Sequence, residues 1–305
     1  MIYFKDTTEF HIDGPCAVTL GKFDGIHLGH QKLMKCIEAF AEEMPGCRSV
    51  VFSLNARDEQ LILTLEEQRA FLEEMGIDCL IQCPFVPEIY TMTPDVFVRK
   101  ILKEALGAAC VAVGTDFRFG HNRAGDAAFL QRAASEYGFE MKVVPHERYR
   151  GEKISSTFVR EALLRGDARL AGALLGRFYS ITGEVVHGAH LGTSMGMPTA
   201  NIIPAGGKLL PRRGVYVSRT RLDGKLYPSV TNVGIKPTVN GTYDGAETYI
   251  YHVDRPLYGE KIEVELLDYF RDEKRFASVE ELREQIRKDI RRGEAYFNGK
   301  ESVLF

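Results

Sequence analysis

The sequence predicts a parallel α/β domain followed by an antiparallel β-barrel that ends in one helix. Three observations carry this expectation. From about residue 17 to residue 144, short apolar runs alternate with amphipathic helical stretches, the rhythm of parallel strands joined by right-handed crossovers. From residue 179 to residue 270 that rhythm stops; Tyr, Val, Thr and Ile dominate between frequent glycines, as in hairpin-connected strands. The length of 305 residues suits two domains of roughly 100–200 residues each. The expected bounds are 1–180 and 181–305.

Candidate strands lie at 17–20, 49–53, 79–82, 110–113 and 140–144, with helices at 31–43, 65–75 and 94–106. Thr93 caps the last of these, and Pro94 fills a first-turn position where its missing N–H is not needed. Ser155, Ser156 and Thr157 offer capping hydroxyls to a helix running to Gly166, and a short helix over 167–175 stops at Gly176. Asp223-Gly224 marks a hairpin between 215–222 and 226–230. Further strands are expected at 248–253 and 261–267, the latter alternating in Ile262, Val264 and Leu266. The final helix, over 279–291, has Ser278 and Glu281 at capping-box spacing. Its apolar stripe of Val279, Leu282, Ile286 and Ile290 is expected to pack on the barrel.

Composition excludes several classes. With 45% hydrophobic and 27% charged residues the chain reads as globular, and a net charge of only −3 provides no basic field for nucleic acid. No apolar run approaches the ~18 residues of a membrane span, and the N-terminus lacks a signal pattern. Cys16, Cys36, Cys47, Cys79, Cys83 and Cys110 are scattered among apolar elements. Cys79 and Cys83 are four apart without the partner set of a zinc site, so reduced thiols and a cytoplasmic location are expected. Nothing in the sequence specifies an oligomer.

The chemistry concentrates in a few stretches. Gly21-Lys22-Phe23-Asp24-Gly25-Ile26-His27-Leu28-Gly29-His30 follows an apolar strand and precedes a helix. A helix N-terminus there offers unpaired N–H groups and partial positive charge to a phosphate, and the two imidazoles add donors. His27 and His30 also allow a metal reading, although no third ligand is fixed nearby, and a structural one. The joint arrangement with Gly21, Asp24, Gly25 and Gly29 favours a nucleotide site. Ser155, Ser156 and Thr157, with Arg160 one turn in, form a second anion-binding helix start, a geometry compatible with plain capping. In the second half, Gly188, Gly192 and Gly196 precede Pro198-Thr199-Ala200-Asn201. No Gly-Lys-Ser/Thr follows, so this is not a Walker A loop; tight turns are the alternative reading of the glycines.

In the form GxFDGxHxGH, the segment 21–30 resembles the signature of the HIGH-type nucleotidyltransferases, and within them the bacterial bifunctional riboflavin kinase/FAD synthetase family. Gly114-Thr115-Asp116-Phe117-Arg118-Phe119-Gly120 with Arg123 and Gly125, and Ile154-Ser155-Ser156-Thr157-Phe158-Val159-Arg160, resemble that family's next two blocks. Pro198-Thr199-Ala200-Asn201 resembles the PTAN motif of riboflavin kinases. Gly214-Val215-Tyr216, the segment 232–238, Glu247 with Leu257-Tyr258-Gly259, and Arg271, Glu273 and Phe276 are similar to its later blocks. The resemblance covers roughly residues 17–290 in block order.

It implies a Rossmann-like nucleotidyltransferase domain followed by a riboflavin-kinase-like barrel. It also implies two reactions: riboflavin and ATP to FMN and ADP, then FMN and ATP to FAD and pyrophosphate. On this reading Gly21, Asp24, Gly25, His27, His30, Ser155, Ser156, Thr157 and Arg160 bind ATP for adenylylation. Asn55, Asp116 and Arg123 bind FMN or nucleotide. In the kinase half, Gly188, Gly192, Gly196 and Thr199 hold phosphates, Thr199 and Asn201 ligate Mg²⁺, Glu247 is the base and Arg271 contacts flavin. Two departures bear on these expectations. Asn55 stands where the family's PHP-type segment carries histidine, and Thr193 and Met197 replace an arginine and an aromatic. The alternatives are a kinase with an impaired adenylyltransferase half and a flavin-binding regulatory protein on the same scaffold. A class I aminoacyl-tRNA synthetase fragment would share only the HxGH element and lacks a basic surface signal.

Overall fold

The computed structural model describes residues 1–55, 60–188, 197–238 and 241–299. The chain forms two compact units, Met1–Ser156 and Thr157–Phe305.

The first unit is built on six parallel strands: β1 (Ile2–Lys5), β2 (Cys16–Gly21), β3 (Arg48–Asn55), β4 (Cys79–Pro84), β5 (Ala108–Gly114) and β6 (Glu140–Val144). Their spatial order is β1-β4-β3-β2-β5-β6. Side chains alternate across the sheet. Ala17, Val51, Leu80 and Cys110 enter one buried cluster with Met34 and Ile37 of α1 (Leu28–Glu43). Val18, Val50, Phe52, Ile81 and Val111 enter another on the opposite side. Both faces are therefore covered, which is why the strands read as continuous apolar runs. The chain leaves β2 for β3 on one side, and β5 lies on the other, so strand order reverses at β2. In open α/β sheets ligands bind at the C-terminal strand ends beside such a reversal.

Two elements depart from the sequence reading. Strand β1 was not expected; it is four residues long and exposed at both ends, at the sheet edge, too short for a periodic signal. The helix expected over 94–106 begins as Pro94–Phe97 under a Thr93 cap, then continues as a π-helix over Val98–Ala105. Its wider winding still buries Val98, Ile101 and Leu102. All six cysteines are free; Cys16, Cys79, Cys83 and Cys110 are buried, and burial pushes each of these four thiols up to about 12.

The second unit contains α2 (Ala168–Leu175), which stops at left-handed Gly176, and a closed antiparallel barrel. Its strands are β7 (Tyr179–Val186), β8 (Ala200–Pro204), β9 (Gly214–Leu222), β10 (Lys225–Thr238), β11 (Gly241–Ile250) and β12 (Lys261–Arg271), in the spatial order β7-β8-β11-β10-β9-β12. Asp223 and Gly224 adopt φ of 50° and 74°, the two-residue turn that matches strand twist. The strand expected over 248–253 starts earlier and ends at Ile250, because His252 turns the chain at φ 63°.

Inside the barrel the apolar core is interrupted by a fully buried hydroxyl network. Ser218 Oγ lies 2.8 Å from Ser229 Oγ and 2.7 Å from Thr231 Oγ1, Thr220 donates to Ser229 at 2.9 Å, and Thr231 donates to Thr248 at 2.9 Å. Buried hydroxyls keep their partners because losing one costs its full desolvation.

The terminal helix α3 spans Val279–Asn298, seven residues longer than the sequence signal. Ser278 Oγ accepts from Glu281 N, while the Glu281 carboxylate accepts from Ala277 N, one residue earlier than a capping box would place it. Val279 is 53% exposed, so the contact with the barrel begins beyond the first turn. Ile290 packs with Val215, Val230 and Tyr251, and the Tyr251 hydroxyl donates to its carbonyl.

Thr231 is the node of the hydroxyl network. Thr231→Val should lower stability by about 1–3 kcal/mol with little change in volume. Denaturant unfolding measures it, and an unchanged midpoint would show that the network contributes nothing.

Candidate functional site

The first site grows from the turn between β2 and α1. Phe23, Gly25 and Ile26 all have positive φ (49°, 82° and 38°). Left-handed backbone is a strained choice for a β-branched residue and collects at functional sites. Ile26 is held there by complete burial. Asp24 Oδ1 accepts from Ile62 N at 2.8 Å, and Ser156 Oγ donates to Asp24 O at 2.8 Å. Asp24 thus fastens the turn, and Gly25 lies against Ile62.

The turn delivers His27 as the N-cap of α1, its Nδ1 accepting from His30 N at 3.3 Å. That bond leaves the proton on Nε2. The two rings stack with centroids 3.7 Å apart, and His30 meets Phe23 edge-on at 5.2 Å. Gly29 leaves room for the His27 ring, whose Cε1 would lie 3.2 Å from an added Cβ. Burial, then the neighbouring His27 and Lys153, hold His30 well below its ordinary pKa. Its Nδ1 is buried without a hydrogen-bond partner.

These residues line a cavity of about 300 Å³ at the strand ends, with Gly21, Gly114, Asp116, His146, Lys153, Ser155 and Ser156. Asp116 pairs with Lys153 through one oxygen and lies 3.4 Å from His146 Nε2 through the other. Thr115 Oγ1 is 2.9 Å from the same Nε2. Burial raises the Asp116 carboxyl, but Lys153 and then His146 outweigh it and hold the group below the usual carboxylate range. Arg123 sits on the exposed turn His121–Arg123, itself at φ 58°, and is not among the lining residues. Asn55 ends β3, and its side chain lies outside the described residues. Thr157 and Arg160 continue the helix Ser156–Arg165 in the second unit.

The second site is set by strand register. Asn232, Glu247 and Asn201 are direct partners across β10, β11 and β8, so they share one barrel face. Thr199 Oγ1 donates to Glu247 Oε1 at 2.6 Å. A side chain at Gly188 would overlap the Asn201 amide, and one at Gly245 would overlap the Tyr243 ring. Asn232 Oδ1 and the Tyr243 hydroxyl are buried without partners. Burial and then Glu247 push the Tyr243 phenol up. Thr199 also lines a cleft of about 460 Å³ with apolar Val185, Pro198, Ile250 and Leu257. At Tyr258, on the same cleft, the ring stacks on His187 at 3.8 Å.

Arg271 forks onto Asp289, with Nε donating to Oδ1 at 3.0 Å, and so ties β12 to α3. Gly192, Gly196 and Thr193 lie outside the described residues, whereas Met197 is buried. The sequence reading missed Lys153, His146 and Tyr243. Lys153 was legible as a cation two residues before the serine pair, and His146 as the second residue beyond a parallel strand's C-terminal end. Tyr243 carried no such signal.

A parallel sheet presenting stacked histidines at a helix N-terminus, joined to a closed barrel with a Thr–Glu pair, has the plan of a bifunctional ATP-dependent transferase. An FAD synthetase family model matches residues 9–158 and a riboflavin kinase family model residues 175–297. The chain is 35% identical over 292 residues to a bifunctional riboflavin kinase/FMN adenylyltransferase of Haemophilus influenzae, covering 93% of this chain and 94% of that one. It is 37% identical over 284 residues to the protein of that description in Escherichia coli K12, covering 90% of each. A crystal structure described as a macrolide-efflux protein from Streptococcus pneumoniae matches with a TM-score of 0.84 at 30% identity, over 96% of this chain and 98% of that one. That description is the pneumococcal protein's; here no helix among the described residues is long and apolar enough to cross a membrane. The chain belongs to the bifunctional riboflavin kinase/FMN adenylyltransferase family.

His30 gives the first unit an acid limit. Its folded pKa is depressed below the ordinary 6.5, so the unfolded chain takes up a proton first as pH falls. Its stabilising contribution is complete above pH 6.5 and declines below it, with a slope of at most about 1.4 kcal/mol per pH unit. His30→Gln should flatten that decline in denaturation midpoints measured from pH 7 to 5; an unaltered slope would assign the acid sensitivity elsewhere.

Proposed function

We propose that residues 1–180 adenylylate FMN at the histidine-lined cavity and residues 181–305 phosphorylate riboflavin at the Thr199–Glu247 face. As a member of its family the chain makes FMN from riboflavin and ATP, then FAD and pyrophosphate from FMN and a second ATP. The observation that carries the assignment is the Thr199–Glu247 hydrogen bond beside a nucleotide-sized cleft. It puts an oriented carboxylate in one site, whereas the other is built around imidazole donors and a helix N-terminus.

The two nucleophiles explain this division. Riboflavin's terminal ribityl hydroxyl is neutral and loses its proton as it attacks the γ-phosphorus. Glu247, oriented by Thr199, takes that proton, and ADP departs. The phosphate of FMN is already an anion and attacks the α-phosphorus without a base, so positioning and charge neutralisation supply the rate. His27 Nε2–H, the N–H groups opening α1 and the Ser155 hydroxyl supply the donors, while Ser156 holds the turn through Asp24.

Mg²⁺ fits the kinase face. Thr199 and Asn201 offer hard oxygens, and the unpartnered Asn232 Oδ1 lies in the same cross-strand row. Thr199 and Asn201 would hold the ion, which when bound neutralises nucleotide charge. Free, mostly buried thiols support a cytoplasmic protein, and the partners proposed are small molecules: riboflavin, FMN and ATP.

Glu247→Gln should lower FMN formation at least about a hundredfold while leaving FAD formation from supplied FMN intact. Separate chromatographic assays starting from riboflavin and from FMN measure this, and equal loss of both would refute the division. The competing reading of an impaired adenylyltransferase half rests on Asn55. Wild-type protein is expected to make FAD, and Asn55→His to raise that rate about fivefold by restoring one contact of roughly 1 kcal/mol. FAD formation by the variant alone would favour the impaired reading.

A further inference from the structure

A chain of hydrogen bonds runs through the first unit from the edge of its sheet to the turn that carries His27. It starts at Tyr3 on β1, whose hydroxyl donates to Gln82 Oε1 on β4. Gln82 Nε2 donates to Gln68 Oε1 at 2.9 Å and to Leu65 O at 3.1 Å, both on the helix Leu65–Glu74. Gln68 Nε2 donates in turn to Ser53 Oγ on β3 at 3.3 Å and to Phe23 O at 3.5 Å. The Ser53 hydroxyl ends the chain on Lys22 O at 3.2 Å. Ser53, Gln68 and Gln82 are all buried.

The direction of the chain is fixed by the backbone. A carbonyl only accepts, so Leu65 O and Phe23 O set which way each amide faces. Gln82 Oε1 is then left for Tyr3, and Gln68 Oε1 for Gln82. Burial raises the Tyr3 phenol above its ordinary pKa and keeps the outermost proton in place, while the Arg69 guanidinium covers the ring at 4.9 Å. Every donor therefore points toward the turn, and links aligned in this way polarise and strengthen one another. Apolar side chains would fill the same space without desolvating two amides. What the polar chain adds is a grip on two carbonyls, Lys22 O and Phe23 O.

Those carbonyls set the histidine pair. Phe23 is left-handed at φ 49°, and its carbonyl also accepts from Ile26 N at 3.2 Å. Its buried ring leans on Gly21 and meets His30 edge-on, and His27 stacks on His30 in turn. Gly21, Phe23, His27 and His30 all line the cavity. A displaced Phe23 would carry both imidazoles with it.

We propose that Gln68, Gln82 and Ser53 are positioning residues of adenylyl transfer, anchored at the sheet edge by Tyr3. They act through the Lys22–Phe23 backbone rather than on substrate, aligning the histidine pair before ATP and FMN bind. The inference rests on assigning this cavity to adenylylation. It gives edge strand β1 a part in chemistry at the end of β2, with β4 and β3 between them.

The test uses the full-length enzyme with three changes. Gln68→Met keeps the side chain's bulk without its hydrogen bonds, Tyr3→Phe removes one hydroxyl at the sheet edge, and the third variant combines the two. FAD formation from FMN, ATP and Mg²⁺ is followed at a temperature where urea midpoints show each variant folded. Gln68→Met should lower kcat about tenfold and Tyr3→Phe about threefold, with riboflavin phosphorylation unchanged. The double variant should be no slower than Gln68→Met, because Tyr3 acts only through the chain. Imidazole resonances of isotope-labelled histidine supply a readout that lost stability alone would not move. Those of His27 and His30 should shift in both single variants, while those of His187 and His252 in the second unit stay in place. Wild-type kcat in Gln68→Met, unmoved His27 and His30 resonances, or losses that multiply in the double variant would each overturn the proposal. If Gln68→Met does not fold, Tyr3→Phe is judged by the same two measures. A His30→Ala control separates the two levels: FAD formation that survives it refutes the cavity assignment, whatever the amide chain does.

Discussion

The first active unit depends on one conformational constraint, the left-handed backbone at Ile26. A β-branched residue at φ 38° is unfavourable in isolation, and the fold holds it by burying the side chain completely. Asp24 anchors the turn to Ile62, and Ser156 anchors it to the far end of the site. Because the chain reverses so tightly, α1 begins beside the end of β2 and its N-terminus faces the cavity. The position of His27, the stacking of His30 and the need for Gly29 all follow from that reversal. Relaxing Ile26 would move the whole donor array.

The second site reaches similar order by another route. Its polar row comes from strand register: Asn201, Glu247 and Asn232 are neighbours because β8, β11 and β10 pair as they do. A slip of one residue would turn each of them to the opposite face. Inside the barrel, the Ser229–Ser218–Thr231–Thr248 chain opposes such a slip, since shifted strands would leave hydroxyls unpartnered in the core. A network inside the barrel thus helps keep this polar row in line.

Much of this was legible in the sequence. Strand-helix alternation, the Asp223-Gly224 turn and the Thr93-Pro94 helix start are local signals with local causes. Of the motif residues, His27 and His30 come together in one cavity, and Thr199 and Glu247 meet in a hydrogen bond. What escaped was set by tertiary context. β1 is too short to show a period, and the π-winding after Phe97 has no marker in composition. Arg271 reads equally as a ligand grip or an ion pair until Asp289 is seen beside it. Lys153 and Asp116 are 37 residues apart, a pairing that only the fold creates.

The buried cysteines have a bearing on the life of a flavin-handling protein. Reduced flavins pass electrons to oxygen and release peroxide, whose target is the thiolate. Cys16, Cys79, Cys83 and Cys110 are raised to about 12 and shut away from solvent, so at neutral pH they carry almost no thiolate. The packing that builds the sheet also leaves these thiols with little thiolate for such peroxide to attack.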